Sequence, residues 1–481
     1  MFNVKTSQTT SCTWLMPFLL FIILAQEIKA QDSLAHYTVA QLDSMISVCY
    51  DKSEYAAILP YAKAAYKKAI KKDVVYGRAC YYLGFYYDYE LGDYDKALPY
   101  YKEAFELQAR IAPTSDDYIN TLVKIGELYN YIYAGYDEAE ALYLQAVKIY
   151  EVSPYSRSIY ADVKNGLGLA YKGQVRYQEA EEACEEACKI SAQLYGEKSA
   201  HCIGFLNVLA SLYSAMGKYD ESEKLYLKLL ILSEEVYGKE SSDYTVILNN
   251  LAYLYQVRSD YPKVEALYKE AIKIEEKVEG KESENYALTV GNLAFFYHSI
   301  GRYQEAEPLY LKAHGINQKI LDPEHPDYSL SLNNLGGLYN DMMRYDEAEA
   351  LYKEALAINE KVYGKLHPEY GRVLNNLAGL YLKQKKNFLV VEKMYMETKA
   401  IEAKFYGNKS IKYAIALNNL AFLYEASERY EDAERMYLEA LNIQIKKLGV
   451  DNLELNLVLS NLGDLYLKQK KYTLSEAYYK R

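Results

Sequence analysis

Hydrophobic and polar positions along the chain follow a helical period nested in a longer one. In "LNNLGGLY" Leu332, Leu335, Gly336 and Tyr339 fall 3, 4 and 7 residues apart, one face of an amphipathic helix. After the turn "DMMRY" a second face forms from Ala348, Leu351, Tyr352 and Ala355. The tyrosine closing the first helix recurs at Tyr87, Tyr129, Tyr171, Tyr213, Tyr255, Tyr297, Tyr339, Tyr381, Tyr424 and Tyr466, every 42 residues with one interval of 43. A second column lies 13 or 14 residues further on, at Tyr101, Tyr143, Cys184, Tyr226, Tyr268, Tyr310, Tyr352, Tyr395, Tyr437 and Tyr479. Small residues (Ala97, Ala139, Ala180, Ser222, Ala306, Ala348, Ala433) precede it on the second helix, where they let backbones approach. A fixed period of this length means stacked supersecondary units.

The linkers agree. "YGKESSDY", "LDPEHPDY" and "YGKLHPEY" place Ser241, His325 and His367 in one slot, which Ser199, Ser283, Ser410 and Asn452 fill elsewhere. That slot suits a helix N-cap, with Pro326 and Pro368 at the first helical position and Asp243, Asp327 and Glu369 near the positive end of the helix dipole. The two "HP" histidines are therefore expected to be structural.

Composition sharpens this picture. The 56 tyrosines among 481 residues follow from a few positions multiplied by the repeat. A formal net charge of -11 argues against nucleic acid as a partner. The "KQKK" runs at Lys383–Lys386 and Lys468–Lys471 fall at expected turns and read as solvated lysines.

Residues 1–30 differ from the rest. Lys5 lies in a polar leader, "WLMPFLLFIILA" (Trp14–Ala25) is apolar, and "QEIKA" leads to Gln31, the layout of a secretory signal peptide cleaved after Ala30. The apolar run is shorter than the about 20 residues of a comfortable membrane span. The mature chain is thus expected to be exported, periplasmic or extracellular, with no membrane insertion after cleavage. Its cysteines (Cys49, Cys80, Cys184, Cys188, Cys202) show no disulfide framework and read as buried thiols, Cys188–Cys202 being the one pairing to check.

The pattern L-x-x-L-[AG]-x-L-Y followed by Y-x-E-A-E-x-x-Y-x-x-A resembles tetratricopeptide repeats, and the 42-residue spacing with "LNNLA" resembles the kinesin light chain variant. The resemblance covers about Thr38 to Arg481. It implies an all-α fold, a right-handed superhelical solenoid of about ten helix–turn–helix units. Residues 31–72 read as an irregular capping repeat, and 73–481 as an array of about nine repeats whose last is incomplete. The second and third units carry one extra turn residue, and the eighth replaces the acidic motif with "KNFLVVEKMY".

One feature runs against helix propensity. Asparagine doublets recur inside the first helices, as in "LNNLAYLY" at Leu248, at a cost of about 0.6 kcal/mol per residue against alanine. At 100 degrees per residue, Asn250 points opposite the core and Asn249 to the flank. Asn250, Asn292, Asn334, Asn376, Asn419 and Asn461 should line the concave surface, with Asn207, Asn249, Asn333, Asn375 and Asn418 beside them. An uncharged amide both donates and accepts, which suits the main chain of an extended peptide. In the repeats that this chain resembles, groove asparagines contact peptide backbone. The alternative is a ladder of asparagines bonded to one another, fixing the repeat spacing.

Nothing in the sequence has the chemistry of an active site. It contains no H-E-x-x-H, G-x-S-x-G or phosphate-binding glycine loop, and His298 and His314 stand alone. No catalytic residue, metal or cofactor is expected. The expected function is a non-enzymatic scaffold binding a protein or peptide. The alternative is a sensing arm of a longer effector such as a CHAT-type, caspase-like protease, which the stop at "YYKR" suggests.

Overall fold

The computed structural model describes residues 34 and 36–481, apart from 70–72, 133–134, 155, 322, 324, 451 and 453–454. The expected signal segment lies outside the described residues. Among them the structure is helical, without a strand.

The helices come in pairs. The irregular first pair is α1 (Val39–Asp51) with α2 (Ile58–Lys68); α3 (Val74–Phe85) with α4 (Tyr94–Ile111) and α5 (Asp116–Tyr131) with α6 (Tyr136–Val152) follow. Next come α7 (Arg157–Gly173) with α8 (Tyr177–Tyr195), α9 (Ala200–Ala215) with α10 (Tyr219–Tyr237), and α11 (Ser242–Val257) with α12 (Tyr261–Val278). Then come α13 (Glu284–Ser299) with α14 (Tyr303–Ile320), α15 (Pro326–Asp341) with α16 (Tyr345–Tyr363), and α17 (Pro368–Lys383) with α18 (Phe388–Tyr406). The last two pairs are α19 (Ile411–Ala426) with α20 (Tyr430–Leu448) and α21 (Asn456–Lys468) with α22 (Tyr472–Tyr479). Ten regular pairs thus follow the irregular one, one for each tyrosine of the first column. The extra residue of the second unit is absorbed as a π-helical turn, Tyr86–Glu90.

Starts and stops are set locally. Ser199, Ser241, Ser283 and Ser410 each accept a backbone N–H at the helix start, as do His325 and His367 through Nδ1. At the last pair α21 starts at Asn456, behind Leu455. Second helices stop at glycines such as Gly364, whose φ of 80° and ψ of 163° define a region essentially closed to other residues.

The core is made of rings on small residues. Tyr352 is 2% exposed and lies over Gly336, where an added Cβ would stand 2.9 Å from the ring. Ala97, Ala139, Ala180, Ser222, Ala306, Ala348 and Ala433 are fully buried, so the small column is what admits these rings.

The chain divides into two compact units, 1–170 and 171–481, with the boundary inside α7. In the second unit each first helix packs on its own partner and on the preceding second helix. Successive first helices also touch, whereas successive second helices stay further apart, so the first helices line the inner side of that stack.

Candidate functional site

The inner side of the second unit carries the asparagines, half-buried or buried rather than free in solvent. The Nδ2 of the second asparagine in one pair donates to the Oδ1 of the first asparagine in the pair before. This holds for Asn250 to Asn207 at 2.9 Å, Asn376 to Asn333 at 2.9 Å, Asn419 to Asn375 at 2.8 Å and Asn461 to Asn418 at 2.9 Å. Each bond leaves one carboxamide oxygen and one N–H2 group unused. The ladder foreseen as the alternative is therefore built along most of the unit.

It is interrupted in the middle. Asn334 should reach the pair before at position 291, but Gly291 stands there and has no side chain to accept. Asn249 turns its Nδ2 to Thr289 Oγ1 at 3.0 Å, leaving its Oδ1 buried and unpartnered. Asn292 and Asn334 consequently have no hydrogen-bond partner within the described residues. Three and four residues away on the same helix faces lie exposed apolar side chains: Leu288 at 56%, Phe295 at 49% and Leu330 at 38%. Val246 and Tyr253 extend this stripe beside Asn250. Next to Asn334, a Cβ added at Gly337 would meet His298 and Tyr352 at 3.7 Å, in ordinary contact.

Charge borders the stripe on one side. Asp341 accepts from Lys383 at 3.1 Å and lies 3.1 Å from His298 Nε2, joining three successive pairs. Arg372 is held by Glu369 at 2.6 Å. His314, by contrast, bonds Ser331 and stacks on Tyr328, so the two histidines do not meet. Among the described residues no cluster of His, Cys, Asp or Glu is arranged for a metal ion. Cys49, Cys80, Cys184, Cys188 and Cys202 are buried and form no disulfide, Cys188 and Cys202 included. Burial pushes the Cys184 and Cys188 thiols up to about 12.

The turn lysines and the acidic motif have a role that the sequence reading missed. Where the turn residue five beyond a first-column tyrosine is arginine or lysine, it lies over that ring, with Arg302, Arg344 and Lys386 at 4.3, 3.9 and 4.0 Å from the ring centre. In most units it also bridges to the glutamate 37 residues earlier, on the preceding second helix. Examples are Arg302 to Glu265 at 2.9 Å, Lys386 to Glu349 at 2.6 Å and Arg429 to Glu392 at 2.9 Å. The tyrosine hydroxyl joins in, as Tyr381 to Glu349 at 2.9 Å. The "KQKK" lysines are thus not simply solvated: Lys383 and Lys386 bridge to acids, as Lys468 does to Glu425 at 2.8 Å. The recurring Glu–Arg/Lys separation of 37 residues was the available signal.

A tetratricopeptide repeat family model matches residues 77–151, 202–277, 285–342, 330–401, 385–446 and 412–481, and a second tetratricopeptide repeat model matches 161–201. Similar solved structures include BtubC (BKLC) from P. vanneervenii, 22% identical, covering 51% of this chain and 92% of that one, with a TM-score of 0.38. A Podosopora anserina kinesin light chain protein with nearly identical TPR-like repeats is 24% identical over 43% of this chain and 98% of that one, with a TM-score of 0.36. A Rap protein complexed with competence and sporulation factor is 13% identical over 76% and 96%, with a TM-score of 0.48. Among curated proteins no sequence matches. The family models span well over half of the residues: the chain belongs to the tetratricopeptide repeat family.

Proposed function

We propose that the inner side of the second unit binds an extended segment of another protein, and that this binding, without catalysis, is what the chain does. One observation carries the reading. Asn292 and Asn334 keep whole amides unspent in the middle of a ladder whose other rungs are mutually bonded, and they do so beside Leu288, Phe295 and Leu330. Free amides offer a donor and an acceptor to a guest main chain, each bond adding about 0.5–1.5 kcal/mol net. The apolar residues offer cover for its side chains. The bonded rungs Asn207–Asn250, Asn333–Asn376, Asn375–Asn419 and Asn418–Asn461 set the pitch and contribute only their leftover atoms. Asn249 serves the frame.

Peptide selection from a displayed random library on the full chain tests this. Selected peptides should bind wild type and lose affinity on Asn292→Ala/Asn334→Ala, while remaining insensitive to Asn461→Ala. Peptides indifferent to the double substitution would contradict the site.

The layout of residues 1–30 supports export, with a mature chain beginning at Gln31. Intact-mass measurement of protein recovered from the envelope or medium tests it, a retained leader being the contrary result.

A further inference from the structure

The first unit presents a different surface on its first helices. Two groups of carboxylates lie there, Asp43 with Asp117, and Asp88 and Asp162 with Glu127, against two cations, Arg78 and Lys124. Arg78 Nη2 lies 3.3 Å from Asp43 Oδ2 and donates to Ser47 at 3.1 Å; Lys124 Nζ is 2.7 Å from Glu127 Oε2. Asp117 repels Asp43, and Glu127 repels both Asp88 and Asp162. Burial foremost, with this repulsion, raises Asp43 and Asp88 and takes Asp162 up to about 7.

A recess of about 60 Å³ opens on this face, lined by Tyr50, Arg78, Tyr81, Tyr82, Gln108, Asp117 and Asn120. By the same measure a water needs about 10–15 Å³, so the recess has room for the head of one side chain. Gln108 is only 5% exposed and its Nε2 has no partner, although Oε1 accepts from Thr121 at 2.7 Å. The Asp117 carboxylate and Asn120 amide also have no hydrogen-bond partner among the described residues.

We infer that the first-helix face of unit 1 docks a lysine- or arginine-bearing segment of a partner protein, one cationic head entering the tyrosine-lined recess beside Asp117. The cations answer the excess of carboxylates, the rings of Tyr50, Tyr81 and Tyr82 present π faces to a cation, and a main-chain carbonyl of the segment accepts from Gln108 Nε2. A polyamine supplies the charge but lacks that carbonyl. The apolar, amide-bearing inner side of unit 2 has no comparable charge, so this inference stands apart from the peptide site proposed there.

The test is fluorescence anisotropy on the full chain with a labelled peptide of alternating lysine, arginine and alanine. The same peptide with glutamine in place of every basic residue is the comparison, and spermidine the competitor. Wild type should bind the basic peptide at least about tenfold more tightly than the glutamine peptide. Asp117→Asn/Asp162→Asn should weaken it about tenfold while thermal melting shows the fold intact. Asn292→Ala/Asn334→Ala should leave it unchanged, which separates this surface from the unit 2 site. Equal binding of the glutamine peptide, displacement by equimolar spermidine, or full affinity in the folded double Asp variant would overturn it.

Discussion

Asn376 donates to Asn333 across 2.9 Å, from one helix pair to the pair before it. A residue unfavourable inside a helix is thereby used twice, its amide satisfied by its counterpart one repeat away. The bond contributes about 0.5–1.5 kcal/mol, enough to offset roughly the propensity cost of its two members. Alanine at either position removes the bond but regains propensity, so Asn333→Ala and Asn376→Ala should each cost only about 0–1 kcal/mol. A double-mutant cycle by urea unfolding should show coupling of about 0.5–1.5 kcal/mol, and zero coupling would remove the rung.

The rings over small residues make a sharper steric prediction. Alanine at 336 places Cβ 2.9 Å from the Tyr352 ring and should destabilise by about 1 kcal/mol or more despite its better helix propensity. Gly204→Ala meets nothing within 4 Å and should stabilise by about 0.5–1 kcal/mol. Denaturant midpoints of the two variants should move in opposite directions.

Two sets of carboxylates oppose each other in pH. Donation from Lys269, working against burial and assisted by Arg302 and Tyr297, holds Glu265 down to about 2. Its contribution is present above the usual carboxylate range and lost as pH falls through about 2. Glu402 is the reverse: burial, with repulsion from Glu369 and only partial relief from Lys412, raises it to about 7. Protonated in the fold and ionised in the unfolded chain between about 4.5 and 7, it makes stability fall as pH rises through that window. Glu402→Gln should therefore stabilise at pH ~8 by roughly 1–3 kcal/mol and flatten the slope between pH ~5 and ~7. Unfolding midpoints across that range check it, an unchanged slope being the contrary result.

The thiols should be inert in the fold. With Cys184 and Cys188 buried and raised to about 12, a disulfide-exchange reagent should reach them only on unfolding. Prompt native-state labelling of either would contradict the packing.

Periodicity made the fold legible because each unit repeats the same few steric rules: a capped start, a ring over a small residue and a glycine stop. The serine slot was readable for that reason. What connects one unit to the next was harder to read. Lys386 and Glu349 are far apart in sequence and unremarkable singly, and only their stacking with Tyr381 makes them a clamp. The asparagines were visible, but their division into bonded and free depends on Gly291, a single absent side chain whose effect appears one repeat away at Asn334. The acidic face of unit 1 had no sequence signature, since Asp43, Asp117 and Asp162 occupy different registers of different helices.

The most direct test compares stability and binding in Asn292→Ala/Asn334→Ala. Neither amide supports the fold, so thermal melting should be unchanged or slightly raised while affinity for selected peptides falls about tenfold or more. A variant that melts markedly lower and still binds with full affinity would contradict the proposal, making these two amides part of the frame.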